Sequence, residues 1–212
     1  MPFFIIIFSL LQVSIFSEYK AKDFSYLEEK THLLNDQALK LHLTLYQGYV
    51  KNTNQLLDMI TTLENKNEQS SPAYGALKRR VGWEFDGMRL HELYFGNIGG
   101  AGTLNPKSVL FKELEKSFGS YSAFEKSFKS TGLIRGIGWV VLSRDPISGV
   151  LVNTYISEHD LGNLTTTTPL CVLDVWEHAY ITQYGLDKSS YIEAFMKEID
   201  WDIVQKRFKE SL

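Results

Sequence analysis

A chain of 212 residues with 44% hydrophobic and 13% aromatic content is long and apolar enough for one large packed domain or two small ones. A formal net charge of −3, with no clustered basic helix, excludes the electrostatic footprint of a nucleic-acid-binding protein. Cys171 is the only cysteine, which excludes an intrachain disulfide, and its apolar surroundings make it an inert core thiol rather than a nucleophile.

Pro2 to Phe16 is almost wholly apolar, the length of a signal-peptide core and too short for an ordinary transmembrane helix. No Lys or Arg precedes it, and Ile15-Phe16-Ser17 is a poor cleavage site. Residues 1–17 are therefore set outside the fold, as a signal, an anchor or a start placed too far upstream. Cytoplasm and export stand level, and membrane contact is expected only if the segment is retained.

After a polar lead-in, Asn35 is the expected N-cap of a long helix whose Leu39, His42, Leu43, Tyr46, Tyr49, Val50, Leu56, Leu57 and Ile60 recur at helical spacing. Ser70-Ser71-Pro72 breaks it, and a second helix runs from Ala73 to Phe95 with Leu77, Val81, Phe85, Met88 and His91 on its apolar face. The glycine cluster from Gly96 to Gly102 predicts a flexible joint and a domain boundary. It follows a helix rather than a strand, which argues against a phosphate-cradling loop.

Two short helices are expected at Ser108–Phe118 and Ser120–Lys129. Trp139–Ser143 and Val150–Ser157 read as a hairpin, Pro169–Val175 as a buried third strand, and the rest as helical, with Tyr191, Phe195, Ile199, Ile203, Val204 and Phe208 apolar. The expected fold is thus α plus α/β. A helical hairpin (residues 18–98) precedes an α/β domain (103–212) with a small three-stranded antiparallel sheet.

Of the five histidines, His42 and His91 lie on the apolar faces of the two long helices. Asp174 and His178 stand four residues apart where the third strand gives way to a helix. A carboxylate leaving a strand and a His in the next helical turn can converge on one ion. Three imidazoles and one carboxylate suit iron, manganese or zinc with a position left open.

Asp174-Val175-Trp176-Glu177-His178-Ala179 closely resembles the Asp-x-Trp-Glu-His-Ala signature of iron/manganese superoxide dismutases. The resemblance extends over residues 22 to 210. Tyr49-Val50 with Asn52 and Asn54 is similar to that family's Tyr-Val-x-Asn-x-Asn run, and Gly136-Ile137-Gly138-Trp139 to its Gly-Ser-Gly-Trp. Tyr191-Ile192 and Asp200-Trp201 stand where the family has Tyr-Leu and Asn-Trp.

The resemblance implies a homodimeric enzyme that disproportionates superoxide to dioxygen and hydrogen peroxide. It implies one iron or manganese ion per subunit, iron favoured, held by His42, His91, Asp174 and His178. It makes Tyr49 the residue that orients the solvent ligand and controls access, and Trp139, Trp176 and Phe95 a dry aromatic wall. Most members place a Gln beside that solvent, from one of two chain positions. The helical one, four residues before the second His, is Gly87 here; the other is His159, as in some iron-containing members, and is expected to be the solvent-orienting donor.

Several positions depart from the pattern. His42 and Tyr49 are seven residues apart where the family has eight. Seven steps of about 100° fall about 20° short of two turns, so a plain α-helix keeps both on one face, whereas eight fits a helix with a one-residue π bulge. This chain is expected to lack that bulge. Tyr46 lies nearest the place of a family His, as a gate residue, and Ile181 replaces the Tyr that bonds that His across the subunit boundary. Gly185-Leu186-Asp187-Lys188 replaces the usual Lys-Asn-x-Arg. Glu177, which in the family reaches the partner's ligand His, is kept, so a dimer with an altered interface is expected. Arg89 and Arg135 stand where aromatics are common, suited to superoxide steering or to surface pairing.

Two other functions fit parts of the pattern. A zinc hydrolase also uses three protein ligands and water, but His91-Glu92 lacks the second zincin His, position 95 being Phe95. A non-enzymatic scaffold of the same fold would be expected to lose ligands, and all four are present.

Overall fold

The structure, a computed structural model, describes residues 17–212, so the apolar N-terminal run lies outside it. The first helix, α1 (Leu27–Lys30), is one turn hidden in the polar lead-in. It is too short for periodicity to reveal, and burial of Phe24, Leu27, Leu33 and Leu34 holds it.

α2 (Asp36–Asn65) begins where the Asn35 side chain accepts the Ala38 N–H, and it runs as α-helix throughout, without a π turn between His42 and Tyr49. Its buried residues, among them Leu39, His42, Tyr46, Val50, Thr53, Leu56 and Ile60, form one stripe. α3 (Pro72–Gly96) starts with Ser71 accepting from Tyr74 N and Pro72 at the first helical position, where its missing N–H costs nothing. The two helices pack together as the expected hairpin.

The glycine cluster is not a free joint. Gly100 N–H donates to Glu198 O (2.9 Å) and Gly102 N–H to Ile199 O (3.1 Å). A Cβ on Gly100 would stand 2.4 Å from the Asp200 Cα, so glycine serves close backbone packing here rather than flexibility.

α4 (Val109–Phe118) and α5 (Tyr121–Gly132) are capped by Ser108 and Ser120, each worth about 1 kcal/mol. β1 (Gly138–Arg144), β2 (Leu151–Ser157) and β3 (Thr168–Asp174) form an antiparallel sheet in the order β2-β1-β3. β1 is the central strand and buried almost along its length, hence its unbroken apolar run. The β1–β3 register slips between Leu142 and Ser143, where Pro169 opposes Ser143 and has no N–H for the ladder.

α6 (Glu177–Tyr184) follows β3 directly, and the C-terminal stretch divides into α7 (Lys188–Glu198) and α8 (Trp201–Glu210). The break at Ile199-Asp200 has a tertiary cause: Asp200 N–H bonds Asn97 O (3.0 Å), and the Asp200 side chain caps α8. Glu198 turns back to the N-terminal region, accepting from Thr31 Oγ1 (2.5 Å) and His32 N (2.7 Å).

The loop between β2 and β3 is tied to α3 by Asn163, whose Nδ2 donates to Asp86 Oδ2 and His159 O, both at 3.1 Å. Burial, with a smaller contribution from the charge of Asp160, pushes the Asp86 carboxyl up to about 6 from its ordinary 3.8. The folded chain thus favours the protonated acid: this stabilisation is complete below 3.8 and is lost as pH rises through about 6. Asp86→Asn is expected to raise the melting temperature above that range and leave it unchanged at low pH. Thermal melts across the range check this, and no gain at about pH 8 would contradict it.

Candidate metal centre

Helical geometry places His42, Tyr46 and Tyr49 on the inner face of α2 and Gly87, His91 and Phe95 on the inner face of α3. Asp174 ends β3 opposite Trp139 of β1, and Val175 N–H closes that end of the sheet on Gly138 O (2.9 Å). Oδ1 of Asp174 then accepts the Trp176 N–H (2.8 Å), which turns the chain into α6 and brings His178 inward in its first turn.

The four side chains expected as ligands meet at one point, each offering an atom within 4.8 Å of the other three. Asp174 Oδ2 lies 3.0 Å from His42 Nε2, 3.2 Å from His178 Nε2 and 3.7 Å from His91 Nε2. Donors held about 2.0–2.1 Å from a shared ion stand about 3–4 Å apart, so these separations fit one ion. His42, His91 and Asp174 are buried, while the His178 side chain keeps 27% of its exposure.

His91 carries the fit further. Its Nδ1 lies 2.6 Å from Gly87 O, which can only accept, so the proton sits on Nδ1 and Nε2 presents a bare lone pair. That Nε2 is buried without a hydrogen-bond partner and faces a carboxylate oxygen. Burial pushes the imidazoles of His91 and His42 below their ordinary value, so a proton does not fill the gap. Burial alone would raise Asp174. The charge and hydrogen bond of His178, with those of His42, outweigh it and hold the carboxyl below the usual range. Two opposed lone pairs in a dry site call for a cation between them, and the residues present fit iron or manganese.

Around this point aromatic side chains pack against the ligands. Phe95 packs edge-on to His42 (4.9 Å), and Trp139 edge-on to His91 (4.8 Å). Tyr49 stacks on His91 at 5.2 Å, and a Cβ on Gly87 would come within 2.7 Å of the Tyr49 ring, so glycine there leaves the ring its space.

His159 is buried with both ring nitrogens engaged. Trp139 Nε1–H donates to its Nδ1 (3.1 Å), which makes Nδ1 an acceptor, so the Nε2–H donates to Tyr49 Oη (2.7 Å). The ring stacks on Trp176 at 4.6 Å and meets the edge of Trp83 at 5.1 Å. Burial pushes His159 down to about 4 and Tyr49 up to about 12, so both are neutral near pH 7.

Tyr46 lies behind His91, its ring 6.4 Å away, and its hydroxyl donates to Glu92 Oε1 (3.1 Å) while accepting from Lys22 N (2.8 Å). Glu92 also pairs with Lys22 Nζ (3.0 Å) and Arg89 Nη1 (2.7 Å), so Arg89 is engaged in a clasp on the N-terminal strap. Arg135 is exposed, Glu177 is exposed at the start of α6, and His32 lies outside the cluster. Trp83 was passed over in the sequence, and Glu92 was weighed there only beside His91 for the zincin pattern. Trp83 is identifiable only through the ring it touches. A Glu beside His91 on a buried face was the available signal for the clasp.

Three imidazoles and one carboxylate around a single point are the donor set of a protein that could hold one metal ion. Residues 106–207 match the family model described as iron/manganese superoxide dismutases, C-terminal domain. The chain is similar to an iron superoxide dismutase of Aquifex pyrophilus, 32% identical over 198 residues that span 88% of this chain and 92% of the relative. Similarity to the Aquifex aeolicus iron enzyme is 34% over 79% of this chain and 80% of the relative. A manganese superoxide dismutase of Haloferax volcanii is 33% identical over 84% of this chain and 89% of its own length. The chain belongs to the iron/manganese superoxide dismutase family.

Proposed function

We propose that this superoxide dismutase holds one iron ion per subunit on His42, His91, Asp174 and His178, iron being preferred to manganese. An ion held there would supply one-electron redox chemistry, by which one superoxide anion is oxidised to dioxygen and a second is reduced, with two protons, to hydrogen peroxide. The convergence of four donors on one dry point, with the His91 lone pair facing Asp174, carries this reading.

The chain's own residues manage protons and access. Because His159 donates to Tyr49 Oη, the hydroxyl proton of Tyr49 is free to turn toward the open position. With Tyr49 pushed up to about 12, that proton stays in place until an oxygen species accepts it. His159 thereby acts through Tyr49 to orient solvent at the open position. Trp139, Trp176 and Phe95 keep bulk water from the ligands.

The enzyme is further proposed to be a homodimer in which Glu177 approaches His178 of the partner. In its support, Glu177 is exposed, has no ion pair among the described residues, and adjoins the one ligand that reaches the surface. Ile181, one turn further on and 43% exposed, would make that contact apolar where a Tyr hydroxyl is usual.

The test is elemental analysis of the purified chain, followed by superoxide turnover after reconstitution with iron and with manganese. About one ion per chain and faster turnover with iron are expected. Bound zinc without turnover would favour hydrolysis, and turnover with manganese alone would reverse the metal preference.

A further inference from the structure

On the outer side of Tyr49 lies an open recess of about 300 Å³ lined by Leu45, Gly48, Tyr49, Asn52, Arg80, Trp83 and Glu84. Tyr49 is the wall it shares with the metal-ligand cluster, since the same ring stacks on His91. Arg80 is the one cation among the lining residues. Its Nε and Nη2 both go to Glu84 Oε1, at 2.8 and 2.7 Å, which leaves Nη1 with no protein partner among the described residues. The guanidinium carbon lies over Trp83, 4.6 Å from the ring centre, and Trp83 in turn abuts His159.

The Arg80–Glu84 pair is arranged unequally. The Arg80 side chain is 51% exposed, whereas that of Glu84 is 7% exposed, with Oε2 buried and unpartnered. An approaching anion therefore meets the cation first and the carboxylate only at depth. Arg89, the alternative steering residue, is held by Glu92.

We propose that Arg80 is a steering residue for superoxide, drawing the anion into the recess beside Tyr49, and that Glu84 both orients the guanidinium and damps its field. The inference rests on the dismutase reading for its substrate, but the anion attraction itself does not depend on metal or turnover.

Two measurements test it. In the metal-loaded enzyme, Arg80→Gln should lower kcat/KM by about 3- to 10-fold with kcat kept, and should flatten its dependence on ionic strength. Glu84→Gln should raise kcat/KM, and Arg80→Lys should restore the salt dependence. A purely structural role predicts instead that the Gln variants at positions 80 and 84 both fall, with unchanged salt dependence, and that outcome overturns the proposal. In the metal-free protein, iodide quenching of tryptophan fluorescence should weaken in Arg80→Gln while quenching by neutral acrylamide is unchanged. Equal iodide quenching in the two proteins also overturns it. A wild-type enzyme that shows the iodide effect but no superoxide turnover would sink the dismutase reading and leave the anion site standing.

Discussion

His91→Ala is expected to leave a folded chain that has lost its metal and its turnover together. His91 is wholly buried, its Nδ1 is fixed by Gly87 O, and its Nε2 has no role in the protein except toward the cluster. Loss of a residue that merely supports a ligand costs about 10- to 100-fold in metal affinity, so removing a ligand should cost at least about 100-fold. Superoxide turnover falls by the same factor or more. The metal also links this substitution to stability, because an ion bound only by the native state stabilises it by mass action. Chelation should therefore lower the melting temperature of the wild type and leave that of His91→Ala unmoved. Bound metal, turnover and melting with and without chelator make the test, and a variant that retains metal and turnover refutes the site.

Gly138→Ala is expected to have the largest effect on the fold. Gly138 has φ 156°, and a Cβ there would lie 2.0 Å from Ile156 O, 3.1 Å from Ile156 C and 3.2 Å from Ser157 Cα. These are backbone atoms of the paired strand, so no rotamer change relieves the overlap. The β1–β2 ladder must open at its first pairs, Gly138↔Ser157 and Trp139↔Ile156. The damage reaches the site, because Gly138 O anchors Val175 beside Asp174, and Trp139 carries the bond to His159. A cost of about 3 kcal/mol or more is expected, which lowers the melting temperature by roughly 10 °C in a chain of this size. Gly75→Ala is the control: a Cβ at that helical position meets nothing within 4 Å, so it should be neutral or slightly stabilising. Equal melting temperatures for the two variants would refute the steric argument.

Both variants bear on how far the primary structure carries. The long helices were legible because their buried faces repeat over thirty and twenty-five residues, and because Asn35 and Ser71-Pro72 are strong start signals. The ligands were legible as residue types: His42 and His91 on apolar faces, Asp174 and His178 at a strand-to-helix turn. The seven-residue interval from His42 to Tyr49 predicted an unbroken α-helix, and α2 is one. The glycine cluster misled, because glycine signals either freedom or close approach, and only the Glu198–Asp200 backbone lying against it decides between them. The break between α7 and α8 was missed for a related reason: its apolar positions keep helical spacing, while the hydrogen bond that ends the pattern comes from Asn97.

By itself, then, the sequence determined the two long helices, the strands and the chemical kinds of the four side chains of the cluster, since these follow from local periodicity, capping and composition. Only the tertiary structure decided that the four donors meet within 4.8 Å and that Gly87 O sets the proton on His91. It also decided that Trp139 makes His159 a donor to Tyr49, and that Arg89 is tied up while Arg80 keeps an N–H without a protein partner among the described residues, beside the same tyrosine. The meeting of the donors and the Trp139–His159–Tyr49 chain join groups far apart in the sequence, whereas the Gly87–His91, Arg89–Glu92 and Arg80–Glu84 contacts lie within one helical turn; in both cases packing selects which contacts form, and it leaves no period in the sequence.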